Sequence, residues 1–301
     1  MPREREGLVV TSLTEARSVG PGIDVTTRPK RRTTFRPGVW LSVAFVIFIA
    51  IAAISPSWLA SGSPDTINLA HSFAPPSWHH LFGTDPSGRD VYTRVIYGAR
   101  QSLTIGLLAT LIAMVIAIAL GVTAGLGGKV VDGFINRVLE VLFAFPGLLL
   151  AFLFLALFGT GVVTEVIAVA IGSAPGYARM IRGQVLAVKG SGYIEAAYAL
   201  GHSPRRVITR QLFPNAMRPL VVLATMGIGQ SIVWASSLSF LGLGVAPPSP
   251  EWGAMLDAGR DYVLQAWWLE VFPGLAIVLC TLSVTALGRY LQQKLDGGIG
   301  V

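Results

Sequence analysis

Long stretches without a single Asp, Glu, Lys or Arg alternate along the chain with shorter polar ones. Residues 37–64, 101–128, 141–164, 219–250 and 271–288 contain none of these four types. A helix needs about 20 mostly apolar residues to cross the hydrocarbon core of a bilayer, so each stretch predicts a spanning helix. A sixth apolar stretch, residues 162–180, is interrupted by Glu165 and closes at Arg179. Gly159 and Gly161 separate it from the stretch before. It reads as a span with Glu165 near one membrane surface. The pattern predicts an all-α membrane protein with six transmembrane helices, centred near residues 50, 113, 150, 171, 231 and 280.

The basic residues orient these spans. With the N-terminus in the cytoplasm, residues 1–38, 127–140, 180–218 and 289–301 face inward. They and the adjoining Arg179 hold every Lys and Arg except Arg89, Arg94, Arg100 and Arg260. This is the asymmetry of the positive-inside rule. The predicted organisation is a disordered cytoplasmic tail at 1–38, a first transmembrane helix at 39–60 and an extracytoplasmic loop at 61–100. A five-helix core follows at 101–292, then a cytoplasmic C-terminus at 293–301. The first span runs on into Trp58 and a long polar loop, which fits a membrane anchor better than a cleaved signal. Gly121 and Gly125 stand at GxxxG spacing, where two helices can approach closely.

Composition agrees. The 301 residues are 52% hydrophobic and 13% charged, against roughly a quarter charged in soluble domains, and the mean hydropathy is +0.63. The net charge of +7 belongs to loops beside anionic lipid, not to a nucleic-acid surface. The lone Cys280 excludes an internal disulfide and a cysteine-cluster metal site. All four histidines fall in predicted loops, which argues against a proton relay or an intramembrane protease. HExxH and GxxxxGK[ST] are absent. No catalytic or metal-binding residue is expected. If transport is active, the energy comes from another subunit.

The most informative stretch is GSGYIEAAYALGHSPRRVITRQLFPN, residues 190–215. It reads as two short helices joined by a tight turn. Ser191 or Gly192 caps the first, and Glu195 faces its free N–H groups and positive dipole end. Ala196 and Ala197 favour helix, and Gly201 supplies the left-handed residue that ends it. Ser203 caps the second helix, Pro204 sits in its first turn, and Pro214 stops or kinks it. Such short helices need something to pack against.

Glu195, Ala196, Ala197, Gly201 and Pro214 have the spacing of the EAA loop, and the segment resembles that loop in ABC-importer permeases. Gln211 and Phe213 stand where the family usually has aliphatic residues. Two further stretches, FGTDPSGRDVYTRVIYGAR (82–100) and SSLSFLGLGVAPPSPEWGA (236–254), resemble signatures of the dipeptide, oligopeptide and nickel branch, in the second of its two permease types. The likeness spans residues 39 to 292. It implies the type I ABC importer fold. It also implies that Glu195, Ala196, Ala197, Gly201, Ser203, Pro204 and Pro214 couple the chain to an ATPase. This chain would bind no cofactor, with ATP and Mg held by partner subunits.

The outer loops admit two readings. Pro247, Pro248 and Pro250 preclude an ordinary helix after span five, and Trp252, Trp267 and Trp268 suit a water–lipid interface. The segment either holds helices together or meets an extracytoplasmic binding protein, with Arg89, Asp90, Trp252 and Asp257 as docking candidates. Span five offers Gln230, Trp234 and Ser237 on one face, either lining a wet pathway or bonding helix to helix. The expected assembly is this permease, a second homologous permease, two nucleotide-binding ATPase domains and a binding protein. It sits among lipids of a bacterial plasma (inner) membrane with both termini cytoplasmic, and imports di- or oligopeptides. A nickel chelate or haem-like cargo, or a scaffold or sensor without a pathway, are the alternatives.

Overall fold

The computed structural model describes residues 37–297, with side chains to Lys294. The tail at 1–38, apart from its last two residues, and residues 298–301 lie outside the described residues.

Helix α1 (Pro37–Ile54) leads through an irregular segment to α2 (Val91–Leu126). Then come α3 (Lys129–Ala144), α4 (Gly147–Phe158) and α5 (Val162–Lys189). A cluster of short helices follows: α6 (Gly192–Ala199), α7 (Pro204–Val207), a π-helical turn (Ile208–Leu212) and α8 (Phe213–Met217). Helix α9 (Leu220–Phe240), the short α10 (Trp252–Gly259) and α11 (Trp268–Gly297) complete the fold. Among the described residues there is no strand, only an isolated bridge between Thr84 and Asp90.

The most extensive helix contact joins α2 and α5, which run side by side in the same direction. Gly121 and Gly125 make the approach possible. A Cβ on Gly121 would stand 2.7 Å from the Ala178 carbonyl oxygen and 2.8 Å from Ile181, and one on Gly125 would meet Val185. The predicted small-residue spacing is therefore a packing seam. Helix α9 returns antiparallel along α2, with Ile232 against Gly106 and the Thr110 hydroxyl donating to Ser231 Oγ at 2.9 Å. Helix α11 packs on α9, and α1 packs on α2 and α11. The bundle has two ends. One carries the segments 55–90 and 241–267. The other carries the short helices α6–α8.

By length and composition alone, fewer than six helices qualify as spans. Among the described residues four, α1, α2, α9 and α11, are long and apolar enough to cross a membrane, or up to five spans if α3 and α4 form one. Helices α3 and α4 are bent by 86°, so the uncharged stretch 141–164 is not one straight helix. Pro146 removes a backbone donor and breaks the run. Helix α3 also begins at Lys129, inside the segment read as a loop. Helix α5 is not among the apolar spans, because Glu165, Arg179 and Arg182 dilute it. Its 28 residues still make a rod about 42 Å long.

Candidate functional site

The short helices α6–α8 form the hairpin that the sequence predicts, with named bonds. Of the two candidates the N-cap of α6 is Ser191, without a side-chain cap bond, so Glu195 is fourth in the helix. At the other end Gly201 takes φ +78°. Its N–H donates to Tyr198 O at 2.9 Å, and His202 N–H donates to Ala197 O at 3.2 Å. This pair of bonds closes the helix in a Schellman turn. Ser203 and Pro204 then start α7. Pro214 does not stop the chain. The widened π turn precedes it, with Phe213 N–H donating to Ile208 O, and helix resumes on the far side in α8.

One face of this hairpin is fixed to the bundle. Ile194, Ala197, Val207, Leu212 and Ala216 are buried in a cluster with Ala124, Leu139, Ile181 and Val185. The other face is open. Glu195, Ala196, Gly201, Ser203, Pro204 and Pro214 are all exposed, as are the larger Tyr193, Tyr198 and Leu200. Of the seven predicted coupling residues, Ala197 alone is turned inward and serves as an anchor. Ser203, Arg205, Arg206, Thr209 and Arg210 line a shallow basic hollow on the same element.

At the opposite end the signature residues face inward. Asp90 caps α2, accepting from Thr93 N–H at 2.8 Å, and its other oxygen lies 2.9 Å from His80 Nδ1. Arg89 pairs with Asp85 at 2.6 Å. Gly88 has φ +73° because the Asn68 backbone occupies the place of a side chain. Arg94 is 4% exposed and donates to the carbonyls of Pro64 at 3.1 Å and Pro248 at 3.0 Å, so it staples the two outer loops together. Glu251 caps α10 through Ala254 N–H at 2.8 Å and accepts from Ser102 Oγ at 3.1 Å.

These contacts correct several expectations. Trp252 is fully buried, with its indole N–H on the Val95 carbonyl at 2.9 Å, so it offers nothing to a docking protein. Trp268 is likewise inside, bonded to Thr84 O at 3.0 Å. Trp267 remains half-exposed, and in the loops at this end Trp58 and Trp78 are more open. Arg89 and Asp90 are occupied by their own chain. Asp257, paired with Arg260 at 3.3 Å, keeps 23% of its side chain open. Glu165, in the first turn of α5, is turned into the protein. It is fully buried, accepts from Ser239 Oγ at 2.9 Å through Oε1, and has no partner at Oε2. The three prolines follow the end of α9, which closes at Phe240 with Gly242 at φ +76°.

Between the two ends lies a cavity of about 610 Å³, bounded by the α3–α4 elbow, the middle of α5 and the middle of α9. Gln230 and Trp234 line it. Ser237 does not. It lies nearly a full turn further along α9, and its hydroxyl returns to the Val233 carbonyl at 2.7 Å. The elbow and α5 meet backbone to backbone, since a Cβ on Gly172 would stand 2.7 Å from Gly147 O. Trp234 covers both glycines. Arg179 also lines the cavity, with its guanidinium carbon 4.4 Å above the centre of the Phe143 ring. The sequence reading missed this elbow, although Phe145, Pro146 and Gly147 in an uncharged run were a signal for it. Among the described residues no three His, Cys, Asp or Glu side chains converge to hold a metal.

Residues 117–299 match the family described as binding-protein-dependent transport system inner membrane component. The chain is 37% identical over 269 residues to a putative peptide transport system permease protein of Brucella suis biovar 1 (strain 1330), covering 89% of each. It is 39% identical over 258 residues to a di/tripeptide transport system permease protein of Pseudomonas aeruginosa (strain UCBPP-PA14), covering 84% of this chain and 85% of that one. The fold resembles the crystal structure of an amino acid ABC transporter with histidines, at a TM-score of 0.53 and 19% identity, over 69% of this chain and 95% of that one. This chain is thus a member of the binding-protein-dependent transport system inner membrane component family, an all-α ABC transporter permease of the type I importer fold and not an enzyme.

Proposed function

We propose that this permease imports di- or oligopeptides, driven by partner ATPases that grip the α6–α8 hairpin. A single observation carries the coupling part: the hairpin spends one face on its own bundle and leaves Glu195, Ala196, Gly201, Ser203 and Pro204 outward. Exposed Tyr193, Tyr198 and Leu200 make that face apolar enough to be a protein contact. The hairpin end is cytoplasmic, with both termini on that side, and the Arg94-stapled loops face the binding protein. A second homologous permease completes the pathway. ATP binding draws the ATPases together, the hairpin moves with them, and the cavity beside Trp234 changes the side to which it opens.

The peptide assignment is supported by the relatives, whose names specify peptide cargo. Selectivity belongs chiefly to the binding protein, and a cavity with few polar groups passes varied side chains without holding them tightly.

Two experiments test this reading. A chain lacking residues 195–201 is expected to insert in the membrane and to lose the ATPases on purification; full ATPase retention overturns the coupling role. Mass spectrometry of ligand carried by the purified complex with its binding protein is expected to find peptides, and a nickel chelate or haem in their place replaces the cargo assignment.

A further inference from the structure

Resting on the peptide-import reading above, we infer that Arg179 is a specificity-determining residue: its guanidinium receives the free C-terminal carboxylate of a peptide as it crosses the cavity.

Position comes first. The cavity lies halfway along α5 and α9, away from both loop-bearing ends. Arg179 does not close the helix, which continues about 15 Å further to Lys189. Its side chain is exposed, so it stands open to whatever enters the cavity. Composition comes second. Among the described residues Arg179 is the only charged one lining the cavity, whose other walls are apolar and aromatic apart from Ser173, Tyr177 and Gln230. Pairing comes third. One turn further along α5, Arg182 is matched by Asp132 at 2.5 Å and 2.7 Å. Among the described residues no carboxylate reaches Arg179, whose contact is the face of Phe143. The ring holds the guanidinium by its positive charge and leaves its edge N–H groups free for a planar, bidentate acceptor.

A carboxylate fits that fork, and every linear peptide with a free C-terminus carries one whatever its side chains. Recognition of the terminus is therefore compatible with a lining that ignores sequence. Gln230 from α9 and Tyr177 from α5, both in the lining, supply neutral partners for the peptide backbone, so the charge of Arg179 alone separates acid from amide.

The test uses the full complex with its binding protein in proteoliposomes, and trialanine against trialanine amide as probes. Wild type is expected to favour the free acid. R179Q is expected to shrink that preference about tenfold, with membrane level and assembly of the complex unchanged. R179K retains most of the preference. R179H is expected to keep trialanine uptake at pH 5.5, where imidazole is protonated, and to lose it at pH 8, while wild type keeps it at both. An unchanged acid-to-amide ratio in R179Q, or an R179H profile parallel to wild type, overturns the assignment and leaves peptide import standing. Dissociation of the R179Q complex on purification assigns the guanidinium to a subunit interface and also overturns it. Failure of the wild-type complex to move any peptide overturns this inference together with the cargo reading on which it rests.

Discussion

The two ends of the bundle use their signature residues in opposite ways. At the loop end Arg94, Glu251 and Trp252 are buried and bonded across 150 or so positions of chain, as in Arg94 to Pro248 and Trp252 to Val95. At the hairpin end Glu195, Ala196 and Gly201 stand open, and the burial falls on the unremarkable Ile194, Val207 and Leu212. A sequence signature thus has two physical meanings. One kind records bonds that the chain makes with itself. The other marks a face kept clear for something else.

Substitutions separate the two kinds. The largest loss of stability is expected for Trp252→Ala, which empties a fully buried indole site and orphans the Val95 carbonyl. About 3–5 kcal/mol is at stake, enough to lower the melting temperature in detergent sharply and reduce the amount of chain in the membrane. Arg94→Met comes next. It leaves the carbonyls of Pro64, Pro248 and Ser249 without their charged donor, at about 2–3 kcal/mol. Limited proteolysis is expected to cut first in the loops this arginine staples. Gly201→Ala has open space around it but must hold φ +78°, at about 1–2 kcal/mol, read as easier local opening of the hairpin in hydrogen exchange. Glu195→Lys is smallest, within about 0.5 kcal/mol in thermal unfolding, yet it is the variant expected to lose the ATPases. If Trp252→Ala melted like wild type, or Glu195→Lys melted like Trp252→Ala, the contrast between the ends would disappear.

Much of this was legible in the residues. Charge-free windows found α1, α2, α9 and α11, because desolvating a single charge is expensive enough to leave a clear trace in sequence. Gly201 announced its turn because only a residue without Cβ takes that backbone freely. The GxxxG pair announced the α2–α5 seam. What failed did so for physical reasons. An uncharged window reports burial in an apolar medium but not direction, so the 86° elbow at Pro146 passed as a straight span. Exposure is a property of packing and not of residue type, so Trp252 and Trp268 looked like interfacial tryptophans although the chain had folded over them. The Ser239 partner of Glu165 was not legible either, because it lies on another helix.

The cavity was half legible. Gln230 and Trp234 belong to it and Ser237 does not, because a helix face names a stripe whereas a cavity is bounded in length as well. Arg179 was invisible as a lining residue while it was taken for the end of a span.

The π turn at Ile208–Leu212 has a consequence for the direction of the chain. In an α-helix each residue advances the chain by about 100° around the axis, and a π turn holds one residue more than its neighbours need. Were that surplus residue absorbed into ordinary helix, the residues of α8 directly beyond it would turn round by the same angle. A register of bonds five residues apart, placed just before a proline that cannot donate one, therefore sets the angle at which α8 leaves the hairpin.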